Sequence, residues 1–165
     1  MKIELYKLDR QLKNFLLIFV LVMTTGVGTG LVFLYTTTGM SSSGTVTRYN
    51  GSQASESEDE FEIPEHYPKP ISELLITTHN HIISMSLIFL AIGMIFYFNT
   101  VVSGFWKGFL LFEPMISVVL TFGSIWGMRF LHPSFVYVTM ISGILMYTSY
   151  FVVVGILIYE LRFKK

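Results

Sequence analysis

At 165 residues, 52% of them hydrophobic, 16% aromatic and only 13% charged, the chain is too apolar for an ordinary soluble domain and reads as an integral membrane protein. It has no cysteine, which excludes a disulfide framework and thiolate metal chemistry. The formal net charge is zero, yet basic residues collect at the two ends and acidic ones between Glu56 and Glu65, a pattern that argues against nucleic-acid binding and for a fixed orientation in a membrane.

Crossing a bilayer takes roughly 20 apolar residues. Four segments satisfy this: Phe15 to Tyr35, Thr77 to Phe98, Phe109 to Phe130 and Phe135 to Tyr159. The first follows "MKIELYKLDRQLKN", with Lys2, Lys7, Arg10 and Lys13; its apolar run is too long for a signal-peptide core, so an uncleaved helix is expected. Lys107 lies in the turn "NTVVSGFWKG" and the tail reads "ELRFKK", so an even number of spans puts all these charges on one side. The positive-inside rule makes that side the cytoplasm. The expected architecture is all-α: one membrane domain over residues 1–165, a four-helix bundle with both termini cytoplasmic, in a bacterial inner membrane.

The outer loop, residues 36–76, has two parts. "TTTGMSSSGTVTRYNGSQASESEDEFE" is rich in Ser, Thr, Gly and acids, lacks apolar periodicity, and reads as flexible or locally turned. "IPEHYPKPISELL" is stiffened by prolines, and "ISELL" is placed to start a helical turn that runs into the second span. His66 belongs to an exposed turn on this reading. There is no internal repeat and no strict heptad, so the helices must pack through small residues and shape.

Polar residues inside spans carry most information, because burying them in hydrocarbon is costly without partners. In the third span Glu113, Ser117, Thr121, Ser124, Met128 and His132 recur about every four residues, a stripe that must face other helices, with Arg129 a turn below His132. In the second span His79 and His81 point about 200° apart. His79 shares its face with Ser86 and Gly93, which favours His79 as the inward one; His81 shares its face with Ser84, Ile88 and Ala91. Topology places His79, His81 and His132 at similar depth near the outer surface. Gly26 and Gly30, in "TTGVGTG" of the first span, lie at comparable depth and leave room for a helix or a macrocycle.

Imidazoles from facing helices are a common way for a bundle to hold haem iron. With "THNH" and "LHP" so placed, the chain resembles small four-helix membrane b-type cytochromes. The resemblance implies one haem b near the outer face, His79 or His81 opposing His132, with Arg129 on a propionate. It also implies electron exchange with quinol or quinone, a larger membrane complex, or a periplasmic c-type cytochrome steered by "ESEDEFE". Copper on His-x-His with Met85, Met128 and Met140 is a lesser option, since methionines in spans mostly pack.

The alternative is a cofactor-free accessory subunit that packs on larger membrane proteins through Gly, Ser and aromatic faces, its histidines merely marking the membrane boundary. Glu113 is a proton- or quinone-site candidate next to Pro114; the structural reading has it snorkel to the cytoplasmic surface or pair with Lys107. It lies about 28 Å along the helix from His132, so the two cannot share one compact site. Tyr137, Tyr147 and Tyr150, with Ser142 and Gly143, suit a quinone pocket or ordinary packing equally. No hydrolytic triad, HExxH or phosphate-binding glycine loop is present.

Overall fold

The structure is a computed structural model that describes residues 4–52 and 66–164. Among these, a 3-10 turn at Leu5–Lys7 precedes five helices: α1 (Arg10–Thr38), α2 (Ser42–Asn50), α3 (Ile71–Tyr97), α4 (Gly104–Phe130) and α5 (Phe135–Arg162). The acidic run from Glu56 to Glu65 falls outside the described residues.

Four of the helices, α1, α3, α4 and α5, are long and apolar enough to span a bilayer. Each extends past the apolar run that marks it in the sequence, by up to two turns. A helix of 27 residues is about 40 Å long against a hydrocarbon core of about 30 Å, so polar turns continue the helix into the interface where the backbone bonds still favour it. The extra length has local causes. Asp9 caps α1 by accepting from the Leu12 N–H at 2.9 Å. Pro70 precedes the first turn of α3, so "ISELL" does open that helix, and its Leu74 is fully buried.

The expectation that the first part of the loop is flexible or locally turned is corrected over residues 42–50, which form α2, while residues 53–62 of that stretch lie outside the described residues. Gly39 adopts the left-handed conformation (φ 58°) and its N–H bonds Tyr35 O at 2.8 Å, ending α1 and reversing the chain. Ser41 then caps α2 by accepting from Gly44 N at 3.0 Å. The periodicity that sequence reading missed is carried by Thr45 and Tyr49, four residues apart and both buried against the bundle. A Cβ on Gly44 would sit 2.0 Å from Thr38 O, so only glycine allows α2 to fold back this tightly. Burial pushes the Tyr49 hydroxyl above its ordinary pKa, opposed by the neighbouring Arg48. Bonds from Ser52 N to His66 O and from Lys69 N to Tyr49 O close the base of the loop, with His66 exposed as expected.

In the bundle α4 and α5 share the most extensive interface; α3 lies along α4 and α1 along α5. Val118, Phe122, Ile125, Met146, Val153 and Leu157 fill the centre. One end gathers both chain termini and the α3–α4 turn: Leu5 N bonds Phe98 O, and the Lys164 ammonium lies over the Tyr6 ring. This is the terminal end. The opposite, distal end carries α2, the loop base and the α4–α5 turn.

Candidate functional site

The polar stripe of α4 is buried as its spacing required. Glu113 is 6% exposed, Ser117 2%, Thr121 9%, Ser124 6% and Met128 1%. Its partners lie on α5. Thr121 Oγ1 and Ser142 Oγ are 2.7 Å apart; the Ser142 hydrogen is directed at Val138 O, so Thr121 donates. One turn further, Ser124 Oγ meets Thr139 Oγ1 at 2.7 Å and donates to Thr121 O. These pairs form a hydroxyl seam in antiparallel register, and extending that register toward the terminal end brings Tyr150 level with Glu113. Tyr150 is buried and donates to Thr24 Oγ1 at 3.2 Å, pinning α1 to α5, because the Thr24 hydrogen is already given to Val20 O.

Glu113 neither snorkels nor pairs with Lys107, which corrects the structural reading of its role. Its Oε1 accepts from Ser117 Oγ, and its Oε2 is buried with no hydrogen-bond partner among the described residues. Lys107 instead donates to Asn99 O at 3.1 Å and lies over Tyr97, capping the α3–α4 turn. Helix α4 runs unbroken through Pro114, which has no N–H, so Leu110 O loses its intrahelical donor one turn from the carboxylate.

The histidines fall differently from the expectation. His79 is exposed and His81 is the half-buried one, its ring 4.9 Å from that of Phe122 on α4. The inward preference for His79 is therefore corrected: Gly93 does face Leu111 of α4, but at the level of the histidines the large Phe122 ring, not a small-residue gap, decides which imidazole is covered. His81 Nδ1 is 2.8 Å from Thr77 O; a carbonyl only accepts, so Nδ1 bears the hydrogen and Nε2 keeps its lone pair. His132 lies beyond α4, exposed in the turn, so the stripe ends at Met128. Its Nδ1 lies 2.7 Å from Ser134 Oγ and 3.2 Å from Ser134 N, so Ser134 occupies that nitrogen and Nε2 faces outward.

Arg129 is half-buried, its guanidinium 5.5 Å from the Phe130 ring and its Nε without a partner among the described residues. Near it, Trp126 Nε1 donates to Thr78 Oγ1 at 2.8 Å and Asn50 Nδ2 to Met128 O at 3.0 Å, so the distal level is held by α2, α3 and α4 together. Among the described residues no three His, Asp or Glu side chains gather as a metal cage. Met85, Met128 and Met140 pack in the apolar core.

Two features escaped sequence reading. Glu160, read there only as part of the basic tail after the last span, is fully buried in the last turns of α5; Thr100 N donates to both of its oxygens at 3.0 Å, the Thr100 hydroxyl also donates to it, and Lys164 donates to that hydroxyl. The glycine face of α1 points away from the bundle. Gly26 and Gly30 are exposed, as are Thr25 and Thr29 beside them, and no atom lies within 4 Å of where a Cβ would stand on either glycine. Tyr137 is exposed and Tyr147 half-buried, so with Tyr150 turned to Thr24 the three do not converge on one pocket.

No curated protein and no solved structure matches the chain. A family model does, over residues 39–165, from the glycine that ends α1 through α2 and the last three spans. The chain belongs to that family, Aq_1264_TM, described as a transmembrane helical domain.

Proposed function

We propose that the chain is a small integral-membrane subunit that docks on a larger membrane protein through the outward face of α1. One observation carries this reading: Thr25, Gly26, Thr29 and Gly30 form an exposed strip of small residues on a helix whose most apolar stretch is only 11% buried in its own bundle. Small side chains allow close backbone approach, the main source of helix association where lipid removes the hydrophobic drive. The Thr25 and Thr29 hydroxyls are already bonded to Leu21 O and Thr25 O, so the strip is flat and its polar groups are satisfied. Among the described residues, six of the nine Lys and Arg residues belong to the terminal end, which supports an orientation with both termini in the cytoplasm.

The absence of cysteine makes the test clean. Thr29→Cys, expressed in native membranes and treated with a short thiol crosslinker, is expected to give a heteromeric adduct that is lost when Gly30→Leu is added. Leu87→Cys, on the exposed face of α3, is expected to give none. Equal adducts from the Thr29→Cys and Leu87→Cys variants, or survival of the Thr29→Cys adduct when Gly30→Leu is present, would refute the docking.

A second reading, a haem-carrying electron-transfer subunit, is favoured by the His81 tautomer. A donor bond from Nδ1 to a carbonyl is the usual support of a metal-bound imidazole and leaves Nε2 to bind iron. The geometry supports one axial ligand and not a second in the same pocket, because His79 and His132 are both exposed. A reduced-minus-oxidised spectrum with a pyridine haemochrome assay tests it: a b-type signal lost in His81→Ala sustains the reading, and no signal from membranes supplied with haem rejects it.

A further inference from the structure

We infer that Glu113 is an intramembrane binding site for a monovalent cation, a proton or a sodium ion, lodged in the α4–α5 seam. Nine residues separate it from the start of α4, about 14 Å at the helical rise, so with α4 centred in the bilayer the carboxyl group lies roughly 9 Å inside the hydrocarbon. A carboxylate there needs a counter-charge or a proton. Among the described residues no cationic side chain supplies one. Lys107 is engaged at Asn99 O, Lys13 donates to Tyr6 O, and Arg129 is about 24 Å further along α4. On the packed elements, α3 carries no ionisable group between His81 and Tyr97; α5 presents Tyr147 and Tyr150 near this level, the latter turned to Thr24.

The local donor set suits a small hard cation. Glu113 Oε2 is buried and unpartnered among the described residues, Ser117 Oγ contacts Oε1, and Leu110 O, released by Pro114, lies in the adjacent turn. The hydroxyls of Thr121, Ser142, Ser124 and Thr139 continue this lining for about three turns toward the distal end, a polar track inside otherwise apolar packing. Glu160 provides an internal contrast. It is also buried, but Thr100 donates to both of its oxygens and Lys164 donates to the Thr100 hydroxyl, so its charge is already met.

Dicyclohexylcarbodiimide, which adds to acid-form carboxyl groups in apolar surroundings as a stable N-acylurea, tests this on the wild-type full-length protein in liposomes, with the modified peptide located by mass spectrometry. The expected result is modification of Glu113 and not of Glu160, lost in Glu113→Gln and retained in Glu113→Asp. Modification that falls as pH is raised and ignores sodium identifies a proton as the occupant. Suppression by sodium chloride but not choline chloride identifies sodium. Failure of Glu113 to react at any pH at which the protein stays folded, reaction insensitive to both pH and sodium, or equal reaction of Glu113 and Glu160, overturns the proposal.

Discussion

Replacing Glu160 with alanine is the sharpest test of how the terminal end is held together. The side chain is 0% exposed and takes two donors from Thr100, the backbone N–H shared between its oxygens at 3.0 Å and the side-chain hydroxyl. A hydrogen bond to a charged group contributes about 1.5–3 kcal/mol, and its loss strands a donor in the α3–α4 turn. Losing both puts Glu160→Ala at about 3–6 kcal/mol, some hundredfold or more in the folded-to-unfolded ratio. Thr100→Ala removes only the hydroxyl and should cost about 1.5 kcal/mol. The two changes share one contact, so their effects should overlap by at least about 1 kcal/mol in a double-mutant cycle. Equilibrium unfolding in mixed detergent–SDS micelles, followed by the fluorescence of Trp106 and Trp126, measures all three variants. A Glu160→Ala cost below about 0.5 kcal/mol, or strict additivity with Thr100→Ala, would refute the clamp.

The hydroxyl seam, the α2 turn and the N-terminal ion pair each give a further test. Thr121→Val should cost about 0.6–1 kcal/mol in the same assay, and adding Ser142→Ala should cost little more, since the two hydroxyls serve one bond. Gly44→Ala drives a methyl into Thr38 O, so amide hydrogen exchange should rise across residues 42–50 while α4 and α5 stay protected. A bond from the Lys7 ammonium holds the Glu4 carboxyl below its ordinary pKa. The stabilisation of that pair is therefore complete above the ordinary value and is lost as pH falls through the lowered one. Lys7→Met should move the Glu4 midpoint upward in a carbon-13 NMR titration; an unchanged midpoint would exclude the pairing.

Hydropathy and topology were enough to place four spans, to bring both termini to one end and to bury the face of α4 from Glu113 to Met128, because length and a four-residue recurrence report directly on what must avoid lipid. The His79 and His81 question was not legible in the same way. A two-residue offset says only that the rings diverge; which one is covered depends on where Phe122 arrives from a neighbouring helix. The outward turn of Gly26 and Gly30 is a rotation of α1 about its axis, fixed by the distant contact of Thr24 with Tyr150. Helix α2 was hidden because its signals are caps, a glycine contact and the single four-residue pair Thr45 and Tyr49, which is too short to register as hydrophobic periodicity. Glu160 was passed over because a terminal acid beside Arg162 and Lys164 reads as part of a basic tail until Thr100 is seen opposite it.

The clamp on Thr100 has a consequence for biosynthesis. Its acceptor is sixty residues further along the chain, so throughout synthesis of α4 and nearly all of α5 the turn after α3 exposes donors that nothing yet made can satisfy. At elongation rates of about 5–20 residues per second, that interval lasts roughly 3–12 seconds. The α3–α4 turn is held locally by Lys107 on Asn99 O, but its Thr100 donors meet their acceptor only when the last turns of α5 are made, so a nascent chain cut short of Glu160 leaves both of them without it.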